Sequence, residues 1–322
     1  MLDSVGTPTL YLSFALLVAV LLAVDFLVLK HEGAHKVGTR EAAMWSVIWI
    51  SIALAFGGWF WWYLHDIVGP EAARARALEY VTGYLIEKSL AVDNVFVWIT
   101  LFNFFAVPAV YQKRVLLFGV LGAIVLRAIL IYVGALLLAR FHWILYIFGL
   151  FLLYTGVHML LAADQGPDLA DNRVLRWMRG HMKITDDYHG EHFFIVRQGV
   201  RHATPLFVVL VLVEITDVIF AVDSIPAIFA VTGDPFIVFT SNIFAILGLR
   251  AMYFLLADMA QRFHLLKYGL AAILVFIGAK MLLLDIYKIP TAIALGVVAL
   301  ILAISVIASL MTSKREPPAR LP

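Results

Sequence analysis

The segment EKSLAVDN, residues 87–94, and the segment DVIFAVDS, residues 217–224, each hold two carboxylates six positions apart within an apolar stretch. Each stretch is long enough to cross a lipid bilayer as a helix. An acid at membrane depth costs about 2.5–3.5 kcal/mol on insertion, so such residues are rarely present without a role. Two matched pairs therefore predict a polar path for a cation through a membrane protein.

The composition assigns the chain to the membrane class. Of its 322 residues, 63% are hydrophobic and 14% are charged, and the mean hydropathy is +0.95. A soluble domain carries about 25% charged residues. Cysteine is absent, which excludes disulfides and thiolate metal sites. A metal site must then use oxygen or imidazole ligands, and oxygen ligands suit Mg²⁺, Ca²⁺ and Mn²⁺.

Nine apolar segments are long enough to be transmembrane helices, because a span needs about 20 residues. The predicted spans are 8–29, 42–64, 78–102, 115–138, 142–162, 204–230, 236–257, 264–284 and 291–311. The first span is too long for the hydrophobic region of a signal peptide and has no basic lead, so we interpret it as a retained signal anchor. We expect an all-α, polytopic membrane protein without a permanently bound cofactor.

The basic residues predict the orientation of the spans. With the N-terminus outside, sixteen of the 24 Lys and Arg residues lie in inner loops or the C-terminal tail, and four lie in outer loops. Because inner loops of membrane proteins are enriched in Lys and Arg, we expect an outside N-terminus and a cytoplasmic C-terminus. The expected location is the inner membrane of a bacterial cell.

Two further motifs extend the duplication beyond the acids. AIVLRA around Arg127 corresponds to AILGLRA around Arg250, and TGVHMLL at 155–161 corresponds to IGAKMLL at 277–283. Spans 3–5 and 6–8 are therefore predicted to be two copies of a three-helix unit. Since three is odd, the second copy enters from the opposite face, which is an inverted-topology repeat. Such transporters bind substrate near the midplane, on locally broken helices.

The repeat divides the chain into five parts. Residues 1–77 hold two peripheral helices, 78–162 the first repeat, 163–203 a cytoplasmic loop, 204–285 the second repeat, and 286–322 the last helix and the tail. Within the cytoplasmic loop, a basic and amphipathic segment predicts a short helix that Asp171 caps, that continues through Met182 and that lies on anionic lipid. Residues 192–204 predict a β-hairpin that turns at Gln198 and Gly199.

The duplicated acids supply hard oxygen ligands, of which a divalent cation such as Ca²⁺ takes six or more. The predicted metal ligands are Glu87, Asp93, Asp217 and Asp223, and secondary candidates along the path are Asn94, Glu214 and Ser224. Acids six residues apart on one helix point about 120° apart and lie ~9 Å apart along its axis. They therefore line successive sites, or the helix unwinds between them, and Pro226 favours unwinding in span 6.

A structural interpretation of the buried charges stays open. Lys88, Arg127 and Arg250 lie within predicted spans and can act as charge partners of the acids. Lys88 alone could neutralise Glu87, and both arginines fit ion pairing better than contact with a substrate. His158 and Asn242 fit helix packing better than metal ligation. In this alternative, the acids hold the helix bundle together.

The segments GYLIEKSLAVDNVFVW (83–98) and VEITDVIFAVDSIPAIFAVTGDPFIVFTSNIFAILGLRAMYFLLA (213–257) strongly resemble the TerC family, most closely its alkaline-induced Alx branch. The resemblance extends over nearly the whole chain. It implies a role in manganese export or metal homeostasis, with tellurium resistance associated with the family by name. The family's acidic membrane motif falls on the four predicted metal ligands. Some relatives are instead implicated in membrane-protein insertion.

Together these observations predict a divalent cation exporter, with the choice of Mn²⁺ resting on the resemblance. The expected mechanism is alternating access through an acidic midplane site, with proton antiport as a suitable driving reaction. The alternative is a membrane-protein assembly or tellurium-type stress-resistance factor whose buried charges are structural. The chain has no HExxH or GxGD motif and no supported nucleophile–base pair, so we do not expect an enzyme. The expected partners are the metal ion and the bilayer, not nucleic acid, and the oligomeric state is left open.

Overall fold

The computed structural model describes residues 4–32, 38–141, 143–161, 173–257, 265–287 and 289–312. The side chains of 28–32, Asp93 and Arg173 lie outside that description. The helices are α1 (Pro8–Glu32), α2 (Thr39–Val68), α3 (Pro70–Phe104), α4 (Ala109–Arg140), α5 (Ile144–Leu161), α6 (Arg173–His181), α7 (Pro205–Phe229), α8 (Pro235–Leu247), α9 (Leu249–Ala257), α10 (Leu266–Leu282) and α11 (Thr291–Thr312). The strands are β1 (Phe194–Arg197) and β2 (Val200–Ala203).

The chain is a multi-pass integral membrane protein. Within the described ranges, six helices are long and apolar enough to cross a membrane, namely α1, α2, α4, α5, α7 and α11. A seventh span results if α8 and α9, which meet at 42°, are counted as one bent helix. Each of the nine predicted spans coincides with a helix or with this pair. The count of nine stays a prediction, since α3 is rich in charged residues and α10 has 17 residues.

The bundle exposes apolar side chains on its exterior and buries several polar side chains among the apolar ones of its interior. Large apolar side chains are exposed along α1, α4, α5 and α11, as at Leu12, Tyr154 and Leu300. The buried polar side chains include Glu87, Asn94, Arg127, Asp217, Ser224, Ser241 and Asn242. In lipid, an exposed apolar surface costs little, whereas polar groups need partners inside the protein. Most of the buried side chains are apolar, so the buried polar groups mark the part of the interior that needs a further explanation.

Local sequence explains where several helices begin. Pro70, Pro205 and Pro235 each occupy the first turn of a helix, where the missing N–H removes no helical hydrogen bond. Asp234 caps α8, because its carboxylate accepts a hydrogen bond from the N–H of Phe236 at 2.9 Å. The turn between α7 and α8 is thereby short and well defined.

The two helices that carry the duplicated acids are continuous, which differs from the predicted unwinding in span 6. Pro226 lies near the C-terminal end of α7, and the helix continues through it to Phe229. The break in the bundle lies instead at Gly248, between α8 and α9. A side chain at Gly248 would place a Cβ only 2.6 Å from Lys88 Nζ, so the glycine admits the lysine there. On α7, Asp217 and Asp223 therefore point to different sides of a regular helix.

Helices α5 and α10 pack with their backbones in direct contact. A Cβ added to Gly278 would lie 2.8 Å from the carbonyl oxygen of Gly149, and one added to Gly156 would lie 2.9 Å from the carbonyl oxygen of Ala271. Both distances are shorter than a real Cβ contact. Small residues let helices approach closely within a membrane, where packing drives their association. The glycines thus bring the third helices of the two predicted repeats together.

The segment that we predicted to be cytoplasmic contains both of the elements expected there. Helix α6 matches the short helix, although Asp171, its expected cap, lies outside the described residues. Strands β1 and β2 form an antiparallel hairpin, and the turn residues Gln198 and Gly199 have φ values of 53° and 74°. Positive φ at both turn residues is typical of a type I′ hairpin. Contact of α6 with anionic lipid stays a prediction.

A tyrosine fastens this segment to the end of α3. Tyr188 donates a hydrogen bond to the carbonyl of Phe105 at 2.7 Å. Burial raises the pKa of Tyr188 to about 12, so the hydroxyl remains protonated and remains a donor at physiological pH. The next residue, Ala106, has φ 49°, a conformation that non-glycine residues rarely adopt. Tyr188 therefore helps to hold the strained turn between α3 and α4.

Candidate functional site

Arg127 of α4 is the centre of a buried charge cluster between α3 and α7. Its Nη2 donates to Asp217 Oδ1 at 2.8 Å, and its Nε donates to Asp217 Oδ2 at 3.1 Å. Its Nη1 forms an ion pair with Glu87 Oε1. The three side chains are each 1% exposed, so they neutralise one another in place of water. A buried charge needs such partners, because its desolvation costs several kcal/mol.

Neutral side chains complete this centre. Asn94 of α3 donates to Asp217 Oδ1 at 3.0 Å. Arg127 Nη1 lies 3.4 Å from Ser224 Oγ on α7 and 3.5 Å from Asn242 Oδ1 on α8. The centre therefore connects four helices, two from each predicted repeat. Asn242, which we expected to serve helix packing, fulfils that role here.

A cavity of about 240 Å³ adjoins the charge centre. It lies among α3, α4, α5, α7 and α10, where the two predicted repeats meet. Its polar lining consists of Glu87, Asn94, Arg127, Thr155, His158, Asp223 and Ser224, and apolar side chains such as Leu90 and Leu274 complete the wall. Four of the seven predicted ligand residues thus line one cavity.

Two buried oxygen atoms at the cavity wall have no hydrogen-bond donor within the described part of the chain. They are Glu87 Oε2 and Asn94 Oδ1, and both residues are almost fully buried. A buried acceptor without a partner costs about 1–3 kcal/mol, and more if it is charged. The cavity therefore presents unsatisfied negative character, and a cation would satisfy it.

Asp223 contributes a third acceptor group from α7. It is partly buried, and its Oδ1 accepts a long hydrogen bond from Thr155 of α5 at 3.4 Å. No ion pair of Asp223 appears among the described residues, in contrast to Glu87 and Asp217. His158 also lines the cavity and stacks on Tyr154 with ring centroids 5.8 Å apart. That His158 is a polar interface residue rather than a metal ligand stays a prediction.

The predicted metal ligands are only partly brought together. No group of three or more His, Asp or Glu side chains in the described residues lies close enough to hold a metal ion. Asp93 occupies α3 one residue before Asn94, and its side chain lies outside the described residues. Glu214 does not line the cavity and instead packs against Gly122, with its Oε2 unpartnered. The assignment of all these residues as ligands therefore stays a prediction.

The predicted charge partners take separate roles. Arg127 pairs with two of the duplicated acids, whereas Arg250 pairs with Asp25 of α1. Lys88 donates to the carbonyl of Ala245 at 3.2 Å, at the end of α8 where the helix breaks. The expectation that both arginines serve ion pairs is confirmed. Lys88 does not neutralise Glu87, because Arg127 does so.

Sequence reasoning missed two participants. Thr155 was not singled out, although it opens the repeated motif at 155–161 and is a polar residue in an apolar helix. Asp25 was also missed as the partner of Arg250, although an acid inside the first span was a visible signal. Both pairings join helices far apart in the sequence.

Comparison with known proteins places the chain in a family. Residues 72–317 match the family described as "Integral membrane protein TerC family". A relative from Escherichia coli O157:H7, named "Putative membrane-bound redox modulator Alx", is 57% identical over 320 residues, which are 99% of this chain and 100% of the relative. Uncharacterised membrane proteins from Myxococcus xanthus and Rickettsia felis are 49% and 40% identical, over 98% and 94% of this chain and 96% and 97% of their own lengths. No solved structure matches.

Proposed function

We propose that this chain, which belongs to the TerC family of integral membrane proteins, exports a divalent cation, with Mn²⁺ as its substrate. The observation that carries the proposal is the pair of buried acceptors, Glu87 Oε2 and Asn94 Oδ1, which have no donor among the described residues and belong to two side chains that line the interior cavity. Together with Asp223, Thr155 and Ser224, they offer the carboxylate, amide and hydroxyl oxygens that hard cations prefer.

The charges of the site support a divalent substrate. The described charged side chains of the centre and cavity are Glu87, Asp217, Asp223 and Arg127, with His158 counted as neutral. Their sum is two negative charges when all three carboxylates are ionised. One divalent cation would therefore make the buried set neutral, whereas a monovalent cation would leave it charged. Neutral buried charge sets are the ones that low-dielectric surroundings tolerate.

The contact between α5 and α10 supports transport by alternating access of two inverted repeats, α3–α5 and α7–α10. The motif at 155–161 precedes its copy at 277–283 by 122 residues. Adding this offset to Gly149 gives Ala271, and subtracting it from Gly278 gives Gly156. The contact between Gly149 and Gly278 therefore has a counterpart between Ala271 and Gly156, and the structure contains both contacts. A contact and its image under the repeat are expected when two equivalent helices pack around a pseudo-two-fold axis.

On the side predicted to face outward, a hydrogen bond joins the two predicted repeats. Thr232, in the turn between α7 and α8, donates to Glu79 of α3 at 2.7 Å, and Arg76 donates to the same carboxylate oxygen at 3.0 Å. One turn deeper, Gly83 packs against Ser241. We infer that this connection between the repeats opens when the cation leaves. Carboxylates that exchange a cation for protons would couple that step to inward proton flow.

The name of the Alx relatives describes them as redox modulators. Thiol–disulfide chemistry is excluded for this chain because it contains no cysteine. A specific observation favours a second candidate, a membrane-protein assembly or stress-resistance factor. Glu87 and Asp217 are held by a fixed arginine, as structural charges would be. The two candidates differ in whether a cation crosses the membrane.

The deciding experiment is a flux assay in proteoliposomes with Mn²⁺, Mg²⁺ and Ca²⁺, each with and without a pH gradient. We expect Mn²⁺ flux that a gradient accelerates, and loss of flux in Asp223→Asn. Asp66→Asn, the same substitution at an exposed position at the end of α2, is the matched control and should transport normally. Absence of flux for all three metals in the folded parent protein would reject transport and favour the assembly role.

A further inference from the structure

We propose that Arg127 is an exchangeable counter-ion, which holds Glu87 while the site is empty and releases it when a divalent cation binds. This inference rests on the proposed function, since it describes how the same site exchanges its occupant. Nothing in the family assignment gives Arg127 this role. The argument follows from how unequally the guanidinium is held by its two carboxylates.

The guanidinium is anchored on one side. Two of its nitrogens, Nη2 and Nε, form a bidentate pair with Asp217 at 2.8 and 3.1 Å. Bidentate pairing adds both energy and geometric specificity. Asn94 supports the same carboxylate with a further hydrogen bond at 3.0 Å. Asp217 therefore keeps Arg127 in place regardless of what happens at Glu87.

The other side of the guanidinium is shared. Nη1 alone contacts Glu87 Oε1, and the same nitrogen lies 3.4 Å from Ser224 Oγ and 3.5 Å from Asn242 Oδ1. If Glu87 moves away from Nη1, these two neutral acceptors can still accept hydrogen bonds from that nitrogen. Arg127 can therefore release Glu87 without becoming an unpaired buried charge.

Glu87 is placed to be the residue that changes partner. Its Oε1 contacts Arg127, whereas its Oε2 has no donor in the described chain and the side chain lines the cavity. A cation that enters the cavity meets this free oxygen together with Asn94 Oδ1. The cation and Arg127 are both positive, so they repel each other across the Glu87 carboxylate and compete for it. Arg127 thereby weakens cation binding and promotes release, as a transporter requires.

The test measures Mn²⁺ binding to purified full-length protein by titration calorimetry. Arg127→Gln removes the competitor but leaves Glu87 and Asp217 as unpaired buried acids, which endangers folding. The double variant Arg127→Gln with Asp217→Asn removes the anchored pair together and keeps the cavity acids Glu87 and Asp223. We expect it to bind Mn²⁺ about 5- to 150-fold more tightly than the parent, the usual range for coupled binding events, and to transport more slowly because release is slower.

Arg250→Gln is the matched control, because Arg250 is the counterpart of Arg127 in the second repeat and pairs with Asp25 away from the cavity. It should leave the affinity for Mn²⁺ unchanged. A merely structural Arg127 would give the opposite sign, since loosening the site weakens binding. If the folded double variant binds Mn²⁺ as tightly as the parent or more weakly, the role of Arg127 as an exchangeable counter-ion is wrong, whereas the proposed function stands. If the parent itself does not bind Mn²⁺, the proposed function fails, and this inference fails with it.

Discussion

Replacing single acids by their amides should separate residues that hold the bundle together from residues that handle the cation. Asp217→Asn removes the bidentate partner of Arg127 and leaves a buried guanidinium with Glu87 as its one carboxylate. Breaking a buried pair by removing one partner costs about 3–5 kcal/mol, and Glu87, which contacts Nη1, does not replace the hydrogen bonds that Asp217 accepts from Nη2 and Nε. Asp217→Asn should therefore be strongly destabilising.

Asp223→Asn should behave differently. Its carboxylate makes no ion pair in the described structure, and its hydrogen bond from Thr155 is long at 3.4 Å. The loss of so weak a bond costs about 1 kcal/mol or less, and an amide oxygen can accept the same bond. The stability of this variant should equal that of the parent, while its flux of Mn²⁺ is lost.

The assay is thermal unfolding in detergent. The unfolding entropy scales with chain length, so for 322 residues each kcal/mol lowers the midpoint by about 1.5 °C. Asp217→Asn should then unfold about 4–8 °C below the parent, and Asp223→Asn should unfold within about 2 °C of it. Equal midpoints for Asp217→Asn and the parent would refute the assignment of Arg127 and Asp217 as a buried structural pair. A large loss of stability in Asp223→Asn would show that this acid is structural as well.

Three further predictions test other parts of the structure. Gly278→Ala places a Cβ 2.7 Å from a backbone nitrogen of α5 and should cost about 1–3 kcal/mol in thermal unfolding, whereas Gly58→Ala meets no atom within 4 Å and should be neutral or stabilising. Asp234→Ala removes the cap of α8 and two bonds from the N-terminal arm, so it should lower stability by about 2 kcal/mol; an unchanged midpoint would contradict that role. In Trp177→Cys, a fluorophore attached to the new cysteine labels α6 alone, because the chain has no other cysteine. Since Trp177 is 59% exposed on α6, spin-labelled anionic lipid should quench this fluorophore more than aqueous iodide does. The reverse order would place α6 in water.

The positions of the elements followed from local sequence. Apolar runs of about 20 residues predicted the spanning segments, because hydrocarbon tolerates only a backbone that satisfies its own hydrogen bonds. The turn at Gln198 and Gly199 was equally readable, since few residues adopt positive φ. The family was recognisable from the two acidic motifs, and residues 72–317 match it. Each of these features depends on neighbours in the chain.

The state of helices α3 and α7 was less predictable. Pro226 indicated an unwound helix, but α7 continues through the proline. Pro226 has no N–H to bond the carbonyl of Val222, and α7 continues despite this loss. The break at Gly248 has its reason in a distant residue, because Lys88 of α3 occupies the space beside the glycine. No local pattern reports such a contact.

The two acidic motifs in an apolar chain were sufficient to establish a membrane protein of this family with carboxylates in its interior. The three-dimensional arrangement alone shows that Arg127 binds Glu87 and Asp217, while Asp223 lines the cavity and has no ion pair with another described residue. Residues six apart on a regular helix point in different directions, so acids that look equivalent in the sequence meet different neighbours. Whether a buried acid is neutralised by a fixed arginine or left available to a cation depends on those neighbours.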